Sequence, residues 1–218
     1  MSFITTLNTC CGEYTGFSYE GQPVRLPYRF GGKKTPDEIR AAISGWMGNS
    51  KMTAAKIQKY VTGHPDKTGI DCSGFVYYAL NEASSGAVRS YFEKKLKCPG
   101  LLNYRYGITA ANLTNAANGI KITVANDVKP GCVIRFNNGK HVLIIHSVNR
   151  DSDGHVTSIM YAHSNGSKGP HCASITIGDP SKDLDDASQT WNDIAYTDAR
   201  AKKYYDYTLL LTPVADLV

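Results

Sequence analysis

Residues 69–83 read Gly69-Ile70-Asp71-Cys72-Ser73-Gly74-Phe75-Val76-Tyr77-Tyr78-Ala79-Leu80-Asn81-Glu82-Ala83. Phe75, Val76, Ala79, Leu80 and Ala83 recur at helical spacing, so the stretch predicts a helix with one apolar stripe. Cys72 opens that helix and shares the inward stripe. A thiol in a first helical turn meets the positive end of the dipole and unpaired backbone N–H groups. Both favour the thiolate, which is the nucleophilic form. Asp71 stands at the cap position. Gly74 leaves room for backbone or substrate to approach. The plainer alternative for Cys72 is a small buried core cysteine.

Downstream, Ala87 to Lys97 predicts another helix, ended by Pro99-Gly100, and Thr109 to Asn118 a short one. The period then changes. Residues 120–124, 132–136, 141–148, 155–162, 172–177 and 205–211 read as strands, with 178–203 an irregular excursion holding one helix. Upstream, Thr35-Pro36-Asp37-Glu38 is a helix start with a capping box, followed by Ile39, Ala42, Ile43, Trp46 and Met47 as a buried stripe. A second helix over Met52 to Val61 and a loop over His64 to Gly69 complete that region. Residues 1 to 27 carry no clear periodic signal. Helices first and strands later, joined by short turns, predict an α+β fold with helices packed on an antiparallel sheet.

The 218 residues are enough for one core, and residues 1–218 read as a single domain. Hydrophobic residues at 42% and charged residues at 20% are ordinary for a globular chain and exclude collagen-like, coiled-coil and largely disordered classes. In the strand region the longest aliphatic run is Val142 to Ile145, far short of the roughly 20 residues of a membrane span. Twenty-four Lys+Arg against 19 Asp+Glu give a net charge of +5, which suits an anionic polymer but is too weak to argue nucleic acid. The six cysteines, at 10, 11, 72, 98, 132 and 172, form no metal-type spacing, so neither metal nor cofactor is expected. The opening MSFITTLNTCC has no basic start before an apolar stretch, so synthesis in the cytoplasm without a Sec-type leader is the expectation.

A second chemical element is Lys129-Pro130-Gly131-Cys132-Val133-Ile134-Arg135-Phe136, the turn Asn137-Asn138-Gly139, and Lys140-His141-Val142-Leu143-Ile144-Ile145. His141 starts the second strand, where rigid backbone can hold a general base. Taken alone, a rim histidine in contact with water is the plainer alternative.

Asp71-Cys72-Ser73-Gly74-Phe75-Val76, followed by Pro130-Gly131-x-Val133-Ile134-x-Phe136 and Gly139-x-His141-Val142, resembles the NlpC/P60 cysteine peptidases. These are cell-wall endopeptidases on a circularly permuted papain-like fold. Pro27-Tyr28-Arg29-Phe30-Gly31-Gly32 is similar to the family's motif upstream of the nucleophile. Thr109-Ala110-Ala111-Asn112-Leu113 resembles the short helix before its first strand. The resemblance covers roughly residues 27–32 and 69–177. Three departures stand out: an insertion over residues 33–68, Cys132 where the family often has Asp, and no evident N-terminal helix in residues 1 to 27.

The resemblance implies Cys72 as nucleophile, His141 as base, and a third polar residue on the next strand to orient the imidazole. Tyr161-Ala162-His163-Ser164 is similar to that segment and points to His163, with Asn165, His171 and His155 as substitutes. His64, eight residues before Cys72, is the alternative base, and His146 reads as structural. Tyr28 is implied at the oxyanion or substrate, with Asp71 and Ser73 as candidate substrate contacts. One geometric condition follows. A two-residue turn at Asp153-Gly154 would set His163 opposite Ile144, on the face away from His141. The catalytic reading therefore requires a longer loop over 149–154 or a bulge.

The implied activity is peptidoglycan hydrolysis: a cysteine endopeptidase or amidase cutting an amide bond in bacterial stem peptides, at the cell wall or periplasm of a target bacterium. With no leader or wall-binding module expected, the sequence suits an antibacterial effector delivered by a type VI-like apparatus, with a cognate immunity protein. A phage endolysin is the runner-up. A papain-like acyltransferase or deamidase on a cytosolic substrate, and a catalytically dead binding module, are rival classes. The insertion is expected as a helical pair at one rim of the cleft.

Overall fold

The computed structural model describes residues 1–48, 50–97 and 107–218. Its helices are α1 (Phe3–Thr15), α2 (Pro36–Met47), α3 (Ala54–Gly63), α4 (Pro65–Thr68), α5 (Cys72–Ala83), α6 (Ala87–Leu96), α7 (Ala110–Leu113) and α8 (Asp198–Tyr204). A small hairpin pairs β1 (Ser18–Tyr19) with β2 (Gln22–Pro23). The main sheet holds β3 (Gly119–Ile122), β4 (Val133–Phe136), β5 (His141–Arg150), β6 (Val156–Asn165), β7 (Gly169–Thr176), β8 (Thr190–Asn192) and β9 (Tyr205–Leu211). Its order is β3-β9-β4-β5-β6-β7-β8, and every pair is antiparallel. The class is α+β, as read. The expected helix end at Pro99-Gly100, and Cys98, lie outside the described residues.

Residues 1 to 27 correct the reading: they contain α1. Ser2 caps it, and Leu7, Cys10, Cys11 and Tyr14 form its buried stripe. Tyr14 meets Phe75 edge-on at 5.2 Å, so α1 packs directly on the Cys72 helix. Phe75 is fully buried, a contribution of about 1.5–3 kcal/mol from hydrophobic transfer.

In the insertion, Thr35 and Glu38 form the expected capping box, and Ile39, Ile43 and Met47 are buried. Trp46 departs from the buried stripe. It is 40% exposed and stacks on Tyr60 of α3 at 4.3 Å, so it joins the two helices from outside. The insertion also carries a third, one-turn helix, α4, where a loop was expected.

The β5–β6 hairpin meets the geometric condition through a bulge, not through its loop: a register shift between Asn149 and Arg150 offsets the longer loop and restores the pairing that a two-residue turn would give, Asn149 with Ser158. No two-residue turn forms; Arg150 pairs with Val156 around a longer loop, whose Asp151 Oδ1 accepts the N–H groups of Asp153 and His155. A bulge at His146 then shifts the register between Ile145 and Ser147. Ile144 consequently pairs with Ala162, so His163, the next residue on β6, falls on the face that Leu143 takes on β5. Leu143 and His141 share a face because side chains alternate along a strand. In the 178–203 excursion, β8 is a strand that the sequence did not announce. Among the described residues, no helix is long and apolar enough to cross a membrane.

Candidate active site

Cys72 is the first residue of α5, and Asp71 is its N-cap. Asp71 Oδ1 accepts the Gly74 N–H at 2.6 Å, and Oδ2 accepts the Gly31 N–H at 3.0 Å. The buried Lys33 ammonium donates to both carboxylate oxygens at 2.7 and 2.8 Å, and to Ser73 Oγ at 2.6 Å. Ser73 also donates toward the Ile108 carbonyl at 3.3 Å. Asp71 and Ser73 are thus both buried in a network that locks the segment after Tyr28 onto the start of α5. Gly74 is required there: a Cβ would lie 2.7 Å from the Gly32 carbonyl oxygen and 2.8 Å from Lys33 Cδ.

Burial pushes the Cys72 thiol up to about 11, and the Asp71 carboxylate adds to the rise. Backbone contacts with Val142 and Ser73, and the Lys33 charge, oppose it without cancelling it. The helix start alone therefore does not make a resting thiolate, contrary to the expectation from the dipole. The Val142 contact places the thiol beside the residue that follows His141.

From His141 a hydrogen-bonded series runs inward. His141 Nε2 lies 2.8 Å from His163 Nδ1, and His163 Nε2 lies 2.9 Å from Asp193 Oδ2. The carboxylate accepts only, so it holds the proton on His163 Nε2. His163 Nδ1 then accepts from His141 Nε2–H, and His141 Nδ1 is left as the bare, basic nitrogen. The only hydrogen bond of the His141 ring among the described residues is the one at Nε2. Burial lowers the His141 pKa well below its ordinary value, and His163 lowers it further. Asp193 opposes this and His171 adds to it, so His141 is neutral at rest.

Asp193 was not foreseen. It directly follows β8, in the excursion read as irregular. Its Oδ2 also accepts from Tyr161 Oη at 2.8 Å, and its Oδ1 accepts from the Ala195 N–H at 2.6 Å and from His171 Nε2 at 3.2 Å. Burial opposes its ionisation. The hydrogen bonds from His163 and His171 outweigh it and hold the carboxyl well below the usual carboxylate range. A carboxylate within reach of two histidines on β6 and β7 has no local sequence signal, since its partners lie 30 and 22 residues away.

The remaining candidates separate clearly. Tyr28 pairs with Ile70 through a β-bridge. Burial raises its hydroxyl pKa above the ordinary range, with the Cys72 and Asp71 charges adding, so the hydroxyl keeps its proton and interacts electrostatically with Cys72. Tyr196 stacks on His163 at 5.9 Å and interacts with Asn165. His171 pairs with His163 across β6 and β7 and binds Asp193. His64 sits in the insertion, stacked on Tyr60, with Nδ1 at 2.8 Å from the Tyr60 carbonyl. His155 is exposed at the β5–β6 turn beside Asp151. His146 reaches Asn8 of α1 at 2.7 Å.

Two sets of side chains have metal-compatible spacing, with ligand atoms within 4.8 Å of one another: His163, His171 and Asp193, and Asp151, Asp153 and His155. The first is closed by hydrogen bonds among its own members, and the second is exposed on a turn. No protein-family model, curated protein or solved structure matches the chain.

Proposed function

We propose that the chain is a cysteine endopeptidase or amidase that hydrolyses an amide bond in peptidoglycan stem peptides, on a permuted papain-like fold of the NlpC/P60 type. The observation that carries this reading is the series Asp193–His163–His141, whose last member precedes Val142, the residue whose backbone meets the helix-borne Cys72 thiol. A series with one fixed tautomer at each step gives His141 a single free basic nitrogen. Amide hydrolysis by a thiol requires that feature.

The chemistry follows from neutral partners. As Cys72 Sγ attacks the amide carbonyl, its proton passes to His141 Nδ1. The tetrahedral oxyanion is met by the Cys72 backbone N–H and the Tyr28 hydroxyl. Collapse breaks the C–N bond, and the imidazolium gives its proton to the leaving amine. Water, deprotonated by His141, then opens the thioester to a carboxylic acid and restores the thiol. Throughout, His163 keeps accepting from His141 Nε2–H, and Asp193 stabilises the cationic stage. Asp71 and Ser73 act as positioning residues that hold the Cys72 turn through Lys33.

The stem-peptide substrate comes from the motif resemblance, and the wall of a target bacterium follows as the place of action. Incubation with purified sacculi, followed by mass spectrometry of the soluble fraction, tests the reading. Fragments with a new amine and a new carboxylate inside the stem peptide are expected. Intact stem peptides after prolonged incubation with folded protein would refute it.

A further inference from the structure

A groove of about 820 Å³ runs between the end of α1, residues 23–26, α3 and the start of β7. It shares Arg25, Leu26, Gln58, Thr62 and Lys168 with a smaller hollow of about 200 Å³ that ends at Tyr28. Tyr28 is close enough to Cys72 for the two to interact electrostatically. The groove therefore leads away from the thiol along the insertion.

Its charge has one sign. Arg25 and Lys168 are exposed along it, and among the described residues neither side chain has an ion-pair partner. No residue lining either hollow is acidic. Both cations stand on fixed backbone. Gln58 of α3 clamps the Arg25 main chain from both sides: its Oε1 accepts the Arg25 N–H at 2.8 Å, and its Nε2 donates to the Arg25 carbonyl at 2.9 Å. Asn165 Oδ1 accepts the Ser167 and Lys168 N–H groups at 3.1 and 3.0 Å, which holds the β6–β7 turn. A guanidinium fork and an ammonium on rigid supports, with no acid among the lining residues and the Asp193 carboxylate behind His171 turned to the histidines, match a carboxylate.

We infer that this groove is a subsite for a carboxylate-bearing arm of the peptide whose scissile amide sits at Cys72, with Arg25 and Lys168 as its specificity-determining residues. The inference rests on the proposed peptidase reading and adds that the substrate must be anionic on the side facing α3. The inserted helices then have a purpose at the site: α3 is the wall that fixes Arg25.

The test uses the full chain carrying Cys72→Ala. It is titrated calorimetrically, at low salt, with the peptide L-Ala-γ-D-Glu-L-Lys-D-Ala as the free acid and with the same peptide amidated at its carboxylates. The free acid is expected to bind at least about tenfold more tightly, a difference of about 1.4 kcal/mol. Adding Arg25→Ala or Lys168→Glu should weaken the free acid alone and leave the amide unchanged. Raised salt should shrink the preference, because exposed charges are screened. Equal affinity for acid and amide, an acid preference that neither variant alters, or no binding of either peptide would overturn the subsite. Cleavage by the wild-type chain, measured in parallel, separates the two readings. Cleavage with no acid preference removes the subsite and leaves the peptidase. Acid-selective binding with no cleavage does the reverse.

Discussion

His163 Nε2 lies 2.9 Å from Asp193 Oδ2, and neither side chain is exposed to solvent. That contact decides the protonation of every nitrogen out to His141. An acceptor at Asp193 leaves His163 Nδ1 free to accept, and only then can His141 keep Nδ1 bare, as the proposed proton transfer from Cys72 needs.

Asp193→Asn puts an amide where the carboxylate was. An amide that donates to His163 Nε2 reverses the series and leaves His141 with the wrong nitrogen protonated. The expected loss in kcat is about 10²-fold or more, with little change in KM. Steady-state kinetics on a soluble stem peptide read this. A variant that folds and keeps its wild-type kcat would remove Asp193 from the mechanism.

The resting state has a distinct pH signature. The Cys72 pKa is raised to about 11 and that of His141 is lowered well below its ordinary value, so at neutral pH the thiol is protonated and the base is neutral. Activity should fall only in acid, as His141 gains a proton, and stay level up to the alkaline range. Alkylation of Cys72 by iodoacetamide, followed by peptide mapping, should be slow at pH 7 and climb as pH rises towards about 11. Rapid alkylation already at pH 6 would mean a preformed thiolate–imidazolium pair.

The Lys33–Asp71 pair has side chains only 5% and 9% exposed. Asp71→Ala takes the counter-charge from the buried Lys33 ammonium and removes the cap of α5. A loss of about 3–5 kcal/mol in unfolding free energy is expected, measured by denaturant titration. Ser73→Ala removes one partner and should cost about 1–3 kcal/mol. Equal and negligible losses would show that the network does not hold the nucleophile's turn.

Gly169 begins β7 with φ of +68°, and a Cβ there would lie 2.1 Å from the Leu26 carbonyl oxygen. Gly169→Ala should destabilise by more than about 1 kcal/mol and disturb the groove floor beside Lys168. An unchanged melting temperature would show that the Leu26 segment yields at little cost.

What could be read beforehand follows a physical line. The capping box at Thr35 and Glu38, the stripe after Cys72 and the start of β5 at His141 are local patterns. Each formed where its period placed it. The required irregularity between His141 and His163 was also legible, because alternation along a strand leaves only two outcomes; that it lies at His146 was not. α1 has no clear period in the sequence because two of its four buried positions are cysteines, preceded by Thr5, Thr6, Asn8 and Thr9. Trp46 was assigned inward because its spacing matches the stripe, yet the Tyr60 ring gave it a partner outside. Asp193 depends wholly on tertiary neighbours. A three-residue strand has no readable period, and nothing near it in the chain marks its partners on β6 and β7.

We propose that Cys72, served by His141, hydrolyses a stem-peptide amide. The most direct measurement compares cleavage of one soluble stem peptide by the wild-type chain, Cys72→Ala and His141→Ala, each shown to be folded by circular dichroism. Expected are cleavage by the wild-type chain, no detectable cleavage by Cys72→Ala, and a loss of at least about 10²-fold for His141→Ala. Cleavage at the wild-type rate by folded Cys72→Ala would contradict it.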